Sequence, residues 1–216
     1  MPSSAPDASA STSQARSRPD AARARDIDSA AREWSVLLGA AHVKSDPQVR
    51  RHYARTTGVR SHEPLAVLYP ETAAEVQAVV RVAGRYGIPL YPISRGKNWG
   101  YGDAAPSGQG QVIVDLGRMN RIVEVNADLC YAVIEPGVTQ GQLQQYLQQH
   151  HPNLWMDSSG AGASASVVGN VLERGFGHTR YGDRFLQTCG MQVVLGDGRL
   201  LETGLGHYGN AKAHLA

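Results

Sequence analysis

Apolar residues first fall into register at Ile27, Ala30, Ala31, Trp34, Leu37 and Leu38. This i, i+3, i+4, i+7 spacing puts one apolar stripe on a helix, and Gly39 marks its end. Lys44 to Glu63 is polar, with several Arg and His and little periodicity. From Pro64 the pattern sharpens. Leu65 to Tyr69 reads as a short buried strand. Thr72 with Glu75 three residues on is a capping box, with Val76, Val79, Val80 and Ala83 as the buried face behind it. Gly87 supplies the left-handed stop. Ile88 to Ile93 is a second strand, so the segment predicts a βαβ unit with right-handed crossover. Strands alone follow: Gln111–Asp115, Arg121–Val125 and Tyr131–Glu135 read as a meander. Thr139 caps a helix carrying Leu143, Tyr146 and Leu147 on one face. Ser166 to Arg174 predicts a short helix ended by Gly175 and Gly177. Met191–Leu195 and Arg199–Leu201 flank Gly196-Asp197-Gly198, a hairpin signal. The predicted class is α+β, a small βαβ unit plus a mainly antiparallel sheet with helices.

Composition adds boundaries to that pattern. Residues 1–25 hold almost nothing large and apolar, and such a segment cannot bury enough surface to offset its ordering entropy. They are expected to be a disordered leader, and Asp7 and Asp20 argue against a transit peptide. Residues 26–63 form a helical segment and 64–216 one domain. Hydrophobic content of 42% and charged content of 19% are those of an ordinary globular chain. A formal net charge of +2 gives no reason to expect nucleic acid or an anionic membrane as partner. No apolar run approaches the roughly 20 residues of a membrane span, and no signal-peptide core is present, so a cytoplasmic location is expected. Cys130 and Cys189 cannot build a disulfide framework and are expected to be buried as small hydrophobes.

The most informative stretch is Ser94-Arg95-Gly96-Lys97-Asn98-Trp99-Gly100-Tyr101-Gly102. Its glycines do not follow the G-x-G-x-x-G order that opens a Rossmann helix, and no Gly-Lys-Ser/Thr closes it as a P-loop. What remains is a nest, in which successive backbone N–H groups surround an anion. Arg95 and Lys97 stand ready to neutralise a pyrophosphate, and Trp99 and Tyr101 offer surface to a planar ring. Turn glycines in a long hairpin loop are the competing explanation. Gly160 to Asn170 is a second stretch of small residues, suited either to close approach of a ligand or to tight helix packing.

Pro92 to Gly102, Glu135-Pro136-Gly137-Val138, Ser166-Val167-Val168-Gly169-Asn170 and Glu173 to Asp183 together resemble the vanillyl-alcohol oxidase and 4-cresol dehydrogenase family of flavoproteins. The resemblance covers Pro64 to Gly204. It implies a two-subdomain FAD-binding domain of the type named for p-cresol methylhydroxylase, and FAD as cofactor. Pro92, Ile93, Ser94, Arg95, Gly96, Lys97 and Asn98 are implied to hold the pyrophosphate. Gly100, Pro136 and Gly137 join the cofactor-binding set, and Ser166, Gly169, Asn170, Glu173, Gly175 and Gly177 line the flavin.

Three departures qualify the match. The Asp expected a few residues after Trp155-Met156-Asp157 is replaced at Ser159 or Gly160. His178 stands where the family has a tyrosine, while Tyr101 keeps the place of the other substrate-facing one. The chain is expected to be incomplete, stopping before the end of this subdomain and before a substrate cap. Tyr101 and His178 are therefore the candidate catalytic residues, and Asp157 and Trp155 are assigned to structure and core. His150, His151, His207 and His214 lack partners at zinc spacing, so no metal is expected.

The implied activity is hydride transfer from an alcohol- or phenol-type carbon to FAD. Its partners are a small-molecule substrate and, as acceptor, oxygen or an electron carrier, with homo-oligomer formation open to the full-length parent. The rival expectation is a non-catalytic flavin-binding module.

Overall fold

The computed structural model describes residues 20–98, 100 and 103–204, with side chains from residue 26 onward. Helix α1 (Asp20–Leu38) starts inside the segment expected to be a leader. The Ala- and Arg-rich run over residues 20–25 has high intrinsic helix propensity and extends the helix without any apolar anchor. Ala30, Trp34 and Leu38 form its buried seam, while Leu37, placed on the stripe by spacing, is 44% exposed. Trp34 Nε1 donates to the Val79 carbonyl at 3.3 Å, which settles its one polar atom inside the core.

A two-residue strand, β1 (Val43–Lys44), follows, and then α2 (Pro47–Tyr53). Periodicity overlooked α2 because only Val49 and Tyr53 reach the sheet, and the rest of the helix is polar. After β2 (Val67–Leu68) comes α3 (Ala73–Tyr86), built as its ends require. Thr72 Oγ1 accepts from Glu75 N at 3.2 Å, and Glu75 Oε2 accepts from Glu71 N at 2.7 Å, one residue further back than a standard capping box. Gly87, at φ 63°, closes the helix. Its core-facing residues are Val79, Val82 and Ala83 rather than Val76 and Val80.

The strands β3 (Leu90–Ile93) and β4 (Val112–Asp115) complete a sheet of order β1-β2-β4-β3. Here the expected meander is corrected. β4 lies between β2 and β3, parallel to both, so the crossover through α3 leaves a slot that a later strand fills. The reason is burial on two faces: Val112, Ile113 and Val114 are 0%, 0% and 3% exposed. A continuous apolar run of this kind belongs in the middle of a parallel sheet. One face packs on α1 and α3 through Leu68, Val112 and Val114, and the other packs on Val49 and Tyr53 of α2 through Val67 and Ile113.

Of the expected meander, only β5 (Ile122–Asn126) and β6 (Tyr131–Ile134) pair antiparallel. They cover a second core with α4 (Gln140–His150) and α5 (Val167–Leu172), centred on Val138, Leu143 and Leu147. The hairpin of β7 (Gln192–Val194) and β8 (Leu200–Glu202) is anchored to α3, because Gln77 Nε2 and Arg81 Nη2 donate to the Gly198 carbonyl at 2.8 and 2.9 Å. Cys130 and Cys189 are both exposed, against expectation; Cys130 sits in the β5–β6 turn at φ 54°. Among the described residues no helix is long and apolar enough to cross a membrane.

Candidate functional site

The site begins where the parallel strands end. Ile93, the last residue of β3, pairs with Asp115, the last of β4, and the chain leaves the sheet there as the loop from Ser94. Ligands of open parallel sheets lie in the crevice beyond such carboxyl ends. Pro92 is tolerated in β3 because that strand is at the sheet edge. Gly96 has φ 58°, and a Cβ there would lie 2.6 Å from Ala104 Cβ. Asp103 N donates to the Asn98 carbonyl at 2.8 Å, closing the loop, and Asp103 Oδ2 accepts from Thr57 N at 2.7 Å. Arg95 and Lys97 are exposed, and Arg95 Nη1 donates to the Gly117 carbonyl at 3.3 Å. Among the described residues the N–H groups of residues 95–98 have no hydrogen-bond acceptor. Gly100 is exposed, and among the described residues nothing lies within 4 Å of an added Cβ. Trp99 and Tyr101 lie outside the described residues.

Beneath this loop lies a polar chain. Tyr69 Oη donates to Tyr53 Oη at 3.1 Å, Tyr53 Oη donates to Asp115 Oδ2 at 2.6 Å, and Asp115 Oδ1 accepts from Gly117 N at 2.8 Å. The chain thus runs from α2 to the carbonyl that holds Arg95. Burial first, and then the hydrogen bond to Asp115, push the Tyr53 phenol far above its ordinary value. A raised phenol pKa gives stability that is present below the unfolded value of about 10 and is lost as pH rises past it. Folding stability is therefore expected to fall above about pH 10, with a shallower decline in Tyr53→Phe. Chemical denaturation at a series of alkaline pH values checks this; identical slopes for the two proteins would count against it.

The second small-residue stretch meets the first from the opposite side. Ser166 is buried, donates through Oγ to the Pro136 carbonyl at 2.6 Å and accepts from Gly169 N at 2.9 Å, capping α5. Gly137 N donates to the Met119 carbonyl at 2.7 Å, and its Cα is packed against three main-chain carbonyls of the turn at residues 116–119. A Cβ on Gly169 would lie 3.4 Å from Ser94 Oγ, so the two glycine segments converge.

A turn after α5 completes the arrangement. The Asn170 side chain fills the space a Cβ on Gly175 would need, and the Asp157 carboxylate does the same at Gly177. Glu173 and His178 are exposed on this turn. Burial first, and then the negative charge of Glu173, raise the Tyr91 phenol on β3 above its ordinary value.

Sequence reasoning missed Gln140 and Arg184, both buried near this turn, because neither stands in a recognisable motif. It placed Trp155 in the core, yet Trp155 is 63% exposed. Leu154 and Met156 take the inward positions on either side of it, packing on the second core.

A sheet-end loop whose N–H groups at residues 95–98 have no acceptor among the described residues, with Arg95 and Lys97 on it and a second glycine segment against it, has the form of a nucleotide-cofactor-binding domain. Residues 64–204 match the FAD binding domain family, the same stretch over which the motif resemblance was read, and the chain belongs to that family. It is 41% identical over 186 residues to 1'-carboxy-chondrochloren decarboxylase of Chondromyces crocatus, covering 86% of this chain and 34% of that protein. It is 44% identical over 146 residues to the 4-cresol dehydrogenase (hydroxylating) flavoprotein subunit of Pseudomonas putida, covering 68% of this chain and 28% of that protein. The solved structure of 4-ethylphenol oxidase from Gulosibacter chungangensis, in its isoeugenol complex, superposes with a TM-score of 0.85 at 38% identity. That superposition covers 93% of this chain and 39% of the oxidase. The chain thus spans roughly a third of the length of these relatives.

FAD is the cofactor of this domain, and the residues present fit it. The loop offers main-chain donors and two cations for a pyrophosphate, and Gly169 brings bare backbone up to Ser94.

Proposed function

We propose that this chain is the FAD-binding domain of an oxidoreductase that takes a hydride from an alcohol- or phenol-type carbon. The close approach of Gly169 to Ser94 supports the reading, because it brings the glycine-bearing start of α5 beside the loop proposed to bind the anion. The backbone of Pro92, Ile93, Ser94, Gly96, Asn98 and Gly100 follows the pyrophosphate, with N–H donors from the loop. Arg95 and Lys97 balance its charge. Pro136, Gly137, Ser166, Gly169 and Asn170 form the opposite wall, and Glu173, Gly175 and Gly177 let the turn approach the ring system. Bound FAD supplies the two-electron redox chemistry. His178, exposed on that turn, exchanges a proton with the substrate hydroxyl, and Tyr101, in the place of a substrate-facing tyrosine, is the second catalytic residue of this reading. The substrate class follows the phenolic names carried by two of the relatives. Oxygen or an electron carrier serves as acceptor, and the full-length parent is open to homo-oligomer formation.

The test compares FAD with riboflavin, which lacks the pyrophosphate, by fluorescence titration. Arg95→Gln with Lys97→Gln is expected to weaken FAD roughly tenfold or more, since each charge-assisted hydrogen bond contributes about 1.5–3 kcal/mol. Riboflavin binding should not change. Equal effects on both ligands would overturn the pyrophosphate assignment. Anaerobic addition of a 4-alkylphenol to the FAD-loaded protein should bleach the oxidised flavin band. An unchanged spectrum would leave a flavin-binding module without this activity.

A further inference from the structure

Arg184 belongs to none of the motifs above, yet it is 6% exposed and makes its contacts with three other segments of the chain. Nη1 donates to Asn170 Oδ1 at 3.0 Å on α5. Nη2 donates to Gln140 Oε1 at 3.0 Å at the start of α4, and also to the Asp157 carbonyl. Gln140 is held in that orientation from both ends. Its Nε2 donates to the Gly162 carbonyl at 2.9 Å, and its Oε1 also accepts from Ser159 N at 3.0 Å. The segment 157–162 is thereby fastened to α4 and, through Arg184, to the far side of the turn.

The same segment grips the turn itself. Ser159 bridges Gly177, Gly177 N donates to the Gly182 carbonyl at 2.9 Å, and the Asp157 carboxylate rests against Gly177. Both Asp157 carboxylate oxygens are buried without a hydrogen-bond partner among the described residues. A buried carboxylate and a buried guanidinium in one neighbourhood each offset the other's desolvation through space. Burial lowers the Arg184 pKa from its ordinary value, and the Asp157 charge acts against that shift.

We infer that Arg184 is the positioning residue that fixes the turn carrying Gly175, Gly177 and His178 against α5, and through it the affinity for FAD. The inference rests on the proposed reading that this turn lines the flavin. An arginine is required because its planar fork reaches two directions at once, whereas a lysine ammonium keeps the charge but is a single point.

The experiment compares the full chain with Arg184→Lys, by FAD titration and by amide hydrogen exchange without FAD. FAD is expected to bind roughly tenfold to a hundredfold more weakly, as loss of buried hydrogen bonds to a charged group implies. The Gly177 and Gly182 amides should exchange faster while β2, β3 and β4 keep wild-type protection. Wild-type exchange at both amides would overturn the inference. Should Arg184→Lys fail to fold, Gln140→Met removes one acceptor and leaves the guanidinium in place; unchanged Gly177 exchange in that variant overturns it equally. If the flavin-lining reading fails instead, exchange at the turn still rises in Arg184→Lys while FAD affinity stays put, so the two failures are distinct.

Discussion

Gly96→Val is expected to abolish FAD retention while leaving most of the fold intact. Gly96 sits at φ 58°, a conformation that costs an L-residue about 1–2 kcal/mol and a β-branched one more. Its Cβ would stand 2.6 Å from Ala104 Cβ. Ala104 cannot retreat freely, because it packs against the cluster of Val67, Ile93 and Ile113. Asp103 beside it is tied to Asn98 and Thr57. The loop must therefore open, and the N–H groups of residues 95–98 move with it. Gly100→Val is the informative companion. Among the described residues nothing lies within 4 Å of a Cβ at that position, so loss of FAD there is expected to report contact with the cofactor itself. Gel filtration with flavin detection reads both variants. FAD co-eluting with Gly96→Val as it does with wild type would rule out this account of the loop.

Gly137→Ala is expected to destabilise the second core by about 3 kcal/mol or more, the scale of severe overpacking. Its added methyl would meet the carbonyl oxygens of Leu116 and Met119 at 2.7 Å and that of Gly117 at 2.9 Å. All three obstacles are main chain, so no side-chain rotation relieves them. The damage spreads, because Gly137 N holds Met119 and the neighbouring Pro136 carbonyl holds Ser166. The cost should appear in urea unfolding. Gly169→Ala is the control, since its methyl meets only Ser94 Oγ at 3.4 Å and the Ser166 side chain at 3.5 Å, ordinary contacts. Equal stability of the two alanine variants would contradict the argument. Gly137 thus serves packing whatever its role toward the cofactor.

Motifs whose meaning is local were readable in advance. Thr72 and Gly87 delimit α3, Thr139 and Ser166 cap α4 and α5, and Gly196 to Gly198 turn the last hairpin, each through bonds within a few residues. The order of glycines and cations from Ser94 to Gly102 pointed to an anion, and its likeness to a flavoprotein family agrees with the match over residues 64–204.

Positions set by distant partners were not readable. Val112 to Val114 look like any apolar strand, and only the slot between β2 and β3 makes them central and parallel rather than part of a meander. Helix α2 presents two apolar residues, too few for a periodic signal, until a sheet face exists for them to cover. Arg184 gains its place from acceptors 14, 27 and 44 residues away in sequence. The sequence by itself determined the helix ends, the turns and the chemistry of the glycine loop, because those depend on backbone conformation and nearest neighbours. Tertiary structure alone decided strand order, the inward side of Leu154 and Met156, and the convergence of Ser94 with Gly169. These depend on burial against surfaces that exist only once the chain has folded.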